Sequence, residues 1–228
     1  GRGVERIYVQ EHGREGPLTR IAAKAREKDI PVIRSDVRAL DRLCGKGAHQ
    51  GVAAIASEAA YLTVEELLQR TAEEGRLPFF VLCDSVSDPH NLGAIMRSAE
   101  CAGANGVILP KRRSAGVNST VAKVSAGAAF HLPIARTTNL SAAIEALKRN
   151  NIWVWAVEAG GSPYYEQDFS GPCALVLGSE GEGISRLVKE QCDFVTGIPL
   201  YGTIGSLNVS AACAVVLFAA ARCREGRK

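Results

Sequence analysis

The sequence predicts an α/β protein in which a parallel-sheet domain follows a smaller α/β domain. Five apolar runs, at 79–83, 106–109, 152–157, 174–177 and 194–199, are hydrophobic on both faces, as parallel strands covered by helices on each side must be. Between them lie stretches of helical period at 90–103, 139–150, 184–191 and 207–223. The first 58 residues instead alternate shorter strand and helix patterns.

In chain order, residues 7–10 and 31–33 read as strands, 18–28 and 37–44 as helices, and 51–56 as a third strand. Thr63 with Glu66 three residues on is a capping box, which opens a short helix at 63–70. A charged stretch, Glu73-Glu-Gly-Arg76-Leu-Pro78, then reads as a surface connection. The domains are accordingly 1–58 and 78–228, joined by a linker at 59–77. Asp88-Pro89 combines an N-cap with proline in the first helical turn. The stripe Leu92, Ile95, Met96 and Ala99 leaves Gly93 and Arg97 on one flank, where the bare glycine would admit an anion or a second backbone. Residues 209–220 are apolar nearly all round, which fits either a core helix or a dimer interface.

The 228-residue chain is 46% hydrophobic and carries a formal charge of +3, too little by itself to identify a nucleic-acid partner. No apolar run approaches the roughly 20 residues that cross a bilayer, and the start does not resemble a signal peptide, so a cytoplasmic protein is expected. The chain opens on Gly1, close to its first strand, and an initial segment is expected to have been removed. Seven cysteines are scattered singly without metal-ligand spacing; reduced thiols in a core, and no metal, are expected. Lys111, Arg112 and Arg113, then Lys123, and finally Arg222, Arg224, Arg227 and Lys228 are basic runs that suit solvated loops or phosphate contacts.

Three segments place Gly, Ser, Asn and charged residues where an apolar strand hands over to a helix: 84–97, 177–184 and 198–210. Strand ends are where open α/β sheets bind ligands, so the three form one composite site. The glycine-rich stretch 178–183 lacks the Lys-Ser/Thr of a P-loop and the spacing of a dinucleotide fingerprint, which disfavours a nicotinamide oxidoreductase. Glu180 and Glu182 would repel a pyrophosphate. They suit a positively charged cofactor, or simply stabilise a helix N-terminus.

The ordered segments resemble the motifs of the SpoU (TrmH-like) 2'-O-ribose RNA methyltransferases of the SPOUT superfamily. Pro89-x-Asn91-x-Gly93-x-x-x-Arg97-Ser98 is similar to motif 1, Leu177-Gly-Ser-Glu180-Gly-Glu-Gly183 to motif 2, and Ile198-Pro199 through Ser206-Leu-Asn208-Val-Ser210 to motif 3. The N-terminal module, ending in His49-Gln50-Gly51, resembles an L30e-like substrate-binding domain. The resemblance implies a C-terminal deep trefoil knot, against the general rarity of knots. It implies S-adenosylmethionine as cofactor, held at Leu177, Gly178, Ile198, Ser206 and Leu207. It implies a catalytic set of Arg97, Asn91, Glu180, Ser206 and Asn208, and a homodimer. An RNA substrate makes Arg97, Lys111, Arg112, Arg113 and Lys123 phosphate contacts. The implied target is a guanosine of 23S ribosomal RNA. A tRNA guanosine-18 enzyme, a resistance-type ribosomal RNA enzyme and a non-catalytic RNA-binding assembly factor are the alternatives.

Overall fold

The computed structural model describes residues 4–11, 16–45, 49–56 and 61–225, and the chain divides into two compact units, 1–59 and 60–228. Arg227 and Lys228 of the basic C-terminal run lie outside the described residues.

The first unit is a three-stranded sheet in the order β2-β1-β3, from β1 (Val4–Gln10), β2 (Val32–Ser35) and β3 (Val52–Ala56). β2 runs parallel to β1 and β3 antiparallel. Alternation turns Ile7 and Val9 of β1 onto Ala22 and Ala25 of α1 (Pro17–Arg26), which form a small core. Asp36 caps α2 (Val37–Cys44) by accepting from the Ala39 N–H at 2.7 Å. The His49-Gln50-Gly51 stretch is a tight turn: Gln50 and Gly51 both have positive φ, and the Val52 N–H donates to the His49 carbonyl at 3.0 Å.

The second unit contains a six-stranded, wholly parallel sheet in the order β6-β5-β4-β8-β7-β9. Its strands are β4 (Phe79–Cys83), β5 (Gly106–Pro110), β6 (Ile134–Thr137), β7 (Trp153–Pro163), β8 (Cys173–Leu177) and β9 (Phe194–Gly197). Strand alternation divides the core into two layers. Phe79, Val81 and Cys83 of β4 face α4 (Pro89–Cys101) and α8 (Val209–Cys223). Phe80 and Leu82 face α3 (Val64–Glu73), α6 (Leu140–Arg149) and α7 (Arg186–Gln191). Strands buried on both faces explain the unbroken apolar runs. No helix among the described residues is long and apolar enough to cross a membrane.

Several expectations change. The segment expected as a linker, 59–77, contains α3, opened by the capping box between Thr63 and Glu66 and packed into the second unit through buried Val64 and Leu67. An amphipathic helix with a capped start buries its apolar stripe rather than spanning solvent. Two elements are additional: β6, and α5 (Ser119–Val124), capped by Asn118. Gly93 serves α5: a Cβ there would lie 2.7 Å from the Val124 side chain and 3.2 Å from the Val121 carbonyl oxygen, so the bare position admits the neighbouring helix rather than an anion. α8 is buried on one side only, through Cys213, Val216, Leu217 and Ala220, while Phe218 remains 51% exposed. The cysteines are all free thiols, yet only Cys83, Cys173 and Cys213 are buried, whereas Cys101 and Cys223 are exposed.

β8 lies between β4 and β7, so the chain leaves neighbouring strands in different directions at the centre of the sheet. Such a switch point opens a crevice at the carboxyl ends of the strands.

Candidate functional site

The carboxyl ends of β4, β8 and β9 carry the three segments singled out in the sequence, and side chains from all three meet. Asn91 stands in the first turn of α4, behind the Asp88 N-cap, whose carboxylate accepts from the His90 N–H at 3.0 Å. Asn91 Nδ2 donates to Glu180 Oε1 at 2.6 Å. Asn208 Nδ2 donates to the same oxygen at 2.7 Å and to Asn91 Oδ1 at 3.0 Å. Asn208 also caps α8, its Oδ1 accepting from the N–H groups of Ser210 and Ala211. One amide therefore fixes the helix start with its oxygen and the carboxylate with its nitrogen.

The loop that presents Glu180 is closed on itself. Ser179 and Gly183 exchange backbone hydrogen bonds at 3.0 and 3.1 Å, and a Cβ on Gly178 would lie 2.0 Å from the Gly183 carbonyl carbon. Only glycine permits that approach. Asp84, buried at the end of β4, fastens the far end of the loop by accepting from the Ser185 N–H at 2.8 Å, and its own N–H donates to the Leu177 carbonyl at 2.7 Å.

Beside this junction lies a cavity of about 720 Å³. All five residues expected to hold a cofactor, Leu177, Gly178, Ile198, Ser206 and Leu207, line it, together with Glu180 and Asn208. Sequence reasoning missed Glu158 and Lys189, which form an ion pair on its wall. Glu158 follows Val157, where the register of β7 against β9 shifts, and such irregularities redirect side chains beside functional sites. With Glu182, the wall carries three carboxylates against the single ammonium of Lys189, a balance that favours a cationic ligand.

Arg97, by contrast, does not line the cavity. It is exposed on α4 and makes no hydrogen bond or ion pair to the described residues. Lys111, Arg112 and Arg113 are exposed after β5, and Lys123 is exposed in the last turn of α5; none lines the cavity. Burial pushes the Cys83 and Cys173 thiols up to about 12, so neither is a nucleophile at neutral pH. Among the described residues no group of three His, Cys, Asp or Glu could hold a metal ion.

Residues 78–218 match the SpoU rRNA Methylase family, and residues 1–62 match the family described as RNA 2'-O ribose methyltransferase substrate binding. A putative TrmH family tRNA/rRNA methyltransferase of Bacillus subtilis, YacO, is 38% identical over 98% of this chain and 90% of its own length. The 23S rRNA (guanosine-2'-O-)-methyltransferase RlmB of Pseudomonas putida is 39% identical over 99% of this chain and 91% of its own. Among solved structures, an AdoMet-bound rRNA methyltransferase from Sinorhizobium meliloti aligns with a TM-score of 0.77 at 25% identity, over 97% of this chain and 81% of that one. The SpoU methyltransferase AviRb from Streptomyces viridochromogenes, in complex with AdoMet, shares the fold with the same TM-score at 24% identity, over 98% and 84%.

Proposed function

The chain belongs to the SpoU rRNA methylase family, and from that premise we propose that it is a cytoplasmic, S-adenosylmethionine-dependent RNA 2'-O-ribose methyltransferase whose target is a guanosine of 23S ribosomal RNA. The observation that carries the reading is the junction of Asn91, Glu180 and Asn208 at the rim of a cavity rich in carboxylates. The ribosomal target is supported by similarity over 91% of the length of a 23S rRNA guanosine enzyme and by the substrate-binding match over residues 1–62.

The cavity fits the cofactor. Gly178 lets the loop that carries Glu180 close on itself along the wall, Leu177, Ile198 and Leu207 offer apolar surface for an adenine, and the surrounding acids suit a sulfonium. When bound, the cofactor supplies an electrophilic methyl group. Everything else falls to the chain. Alignment of the ribose 2'-hydroxyl for in-line attack is the main requirement, and it needs rigid positioning groups. Asn91 and Asn208 hold Glu180 in one orientation through two donors to one oxygen, so this part of the rim is preorganised. Ser206 contacts cofactor or hydroxyl from the loop before α8. Arg97 binds the adjacent phosphate and stabilises negative charge developing on the ribose oxygen, a role suited to a planar cationic fork.

A homodimer completes the reading. The outer face of α8 exposes Val215 and Phe218, and the preceding loop exposes Ile204 at 77% and Tyr201 at 92%, an apolar surface that a second copy would cover. The family's deep knot is part of the same proposal. Its support is the close passage of the β7 and β9 backbones, where a Cβ on Gly197 would lie 2.5 Å from the Glu158 carbonyl.

The test is incubation with labelled S-adenosylmethionine and ribosomal or transfer RNA, followed by mapping of the product nucleotide. Label on a 2'-oxygen of a 23S guanosine is expected. Label on a base overturns the reaction, and label at a transfer RNA guanosine overturns the substrate.

A further inference from the structure

Among the described residues, Arg136 is a cation without a counter-anion. It stands at the third position of β6, opposite Leu109 of β5, on the side of the sheet where the strands end. Its guanidinium lies 4.2 Å above the ring of Tyr61, whose hydroxyl accepts from the Val117 N–H at 3.1 Å and is thereby fixed. Nε is buried with no hydrogen-bond partner, and the side chain makes no salt bridge or hydrogen bond to any described residue. The side chain is half-buried, and among its nitrogens only Nε is both sealed from solvent and unpartnered. Gly116 contributes no side chain at the point where a Cβ would lie 3.4 Å from Nη2.

Withdrawing a guanidinium from water is unfavourable unless a partner restores both charge and hydrogen bonds. A tyrosine face restores part of the charge interaction and none of the hydrogen bonds. A phosphate supplies both at the terminal nitrogens of the fork, which are not sealed from solvent as Nε is. The surroundings favour that ligand. Lys111, whose N–H donates to the Thr137 carbonyl at 2.7 Å, continues from the strand beside Arg136, and the exposed Arg112 and Arg113 follow it.

We propose that Arg136, held over the ring of Tyr61, is a receptor for one backbone phosphate of the RNA substrate, at the β5–β6 end of the sheet away from the cofactor cavity. The inference rests on the reading of the substrate as RNA. Tyr61 holds the guanidinium in place, and the basic loop draws the strand toward it. The contact fixes register without reading sequence.

The test measures RNA binding by the full chain without cofactor, over a series of salt concentrations, beside the KM for RNA and for S-adenosylmethionine. Arg136→Gln is expected to weaken RNA binding about tenfold and to reduce the slope of log K against log salt by about 0.7–0.9, the signature of one lost phosphate contact. The KM for S-adenosylmethionine should not move. Arg136→Lys keeps a charge over Tyr61 and loses the fork, so it should keep the slope and bind RNA a few-fold more weakly. Wild-type affinity and slope in the Gln variant overturn the proposal, even if its melting temperature falls, because that pattern is a structural fastening alone. If the Gln variant does not fold, unchanged affinity in the Lys variant overturns it. A wild type that binds RNA but methylates no ribose overturns the proposed activity and leaves the Arg136 measurement valid; a wild type that binds no RNA overturns both.

Discussion

Asn208 Nδ2 and Glu180 Oε1 are 2.7 Å apart, although the residues belong to loops that follow different strands and β7 lies between those strands in the sheet. Asn208 also caps α8, so the bond couples the start of the last helix to the carboxylate at the cavity rim. Asn208→Asp separates these roles, because a carboxylate caps as well as an amide but offers Glu180 no donor. We expect that variant to lose about 1 kcal/mol of stability, since Glu180 is solvent-exposed. Methyl transfer should fall far more, by about a hundredfold. Thermal melting and single-turnover methylation together check this; wild-type turnover by the Asp variant would remove Asn208 from the machinery.

Gly178→Ala places a Cβ 2.0 Å from the Gly183 carbonyl carbon, a contact with backbone that no rotamer relieves. The closed loop must open. The expected result is a loss of about 1–3 kcal/mol of stability, with S-adenosylmethionine affinity reduced by at least about tenfold in isothermal titration. Unaltered affinity would mean that the loop geometry does not shape the cofactor site.

Arg97 offers the opposite case. It is exposed and its side chain makes no hydrogen bond or ion pair to the described residues, so its removal breaks no polar contact of the fold. Arg97→Ala should therefore melt within about 0.5 kcal/mol of the wild type, while methyl transfer drops by about a hundred- to a thousandfold. Arg97→Lys keeps the charge and loses the planar fork; near-normal methylation by it would sink the proposed role in holding phosphate and oxyanion.

The cysteines predict a labelling pattern. Alkylation requires a thiolate at the surface, and Cys101 and Cys223 are exposed whereas Cys83, Cys173 and Cys213 are buried. Burial raises the buried thiols, Cys83 and Cys173 to about 12, so they stay protonated at neutral and mildly alkaline pH. Peptide mass mapping after brief native alkylation should find Cys101 and Cys223 modified first, and the three buried residues only after unfolding. Early modification of Cys83 would contradict the packing of β4.

The parts legible in the sequence were those with a local physical signature. β4, β5 and β8 announced themselves because burial on both faces disfavours polar residues, and the helix starts at Thr63 and Asp88 because their side chains must satisfy free N–H groups. β6 escaped notice because it has four residues, Ile-Ala-Arg-Thr, and owes its existence to pairing with β5 and to the Leu62 bridge, both non-local. α5 is only six residues long, too short for a period. The site's members were nameable from their motifs, but no spacing could reveal that one oxygen of Glu180 accepts from both asparagines. Glu158 and Lys189 were missed because each reaches the cavity wall through tertiary placement.

The outer face of α8 supports the last prediction. The sequence left open whether this helix is core or interface, and the fold divides it: Val216, Leu217 and Ala220 are sealed, while Val215 and Phe218 are 37% and 51% exposed. Exposed apolar residues on a helix whose other face is fully packed contribute nothing to the monomer's core, so replacing one with a charge should leave that core intact. In a dimer the same charge would be buried without a partner and would disfavour association. Phe218→Glu is therefore expected to retain the circular dichroism and melting profile of a folded chain while shifting sedimentation from dimer to monomer. Methyl transfer should fall with it, if the interface completes the active site. A wild type that sediments as a monomer at micromolar concentration would overturn the dimer, and a Phe218→Glu protein that remains dimeric would move the interface to another face.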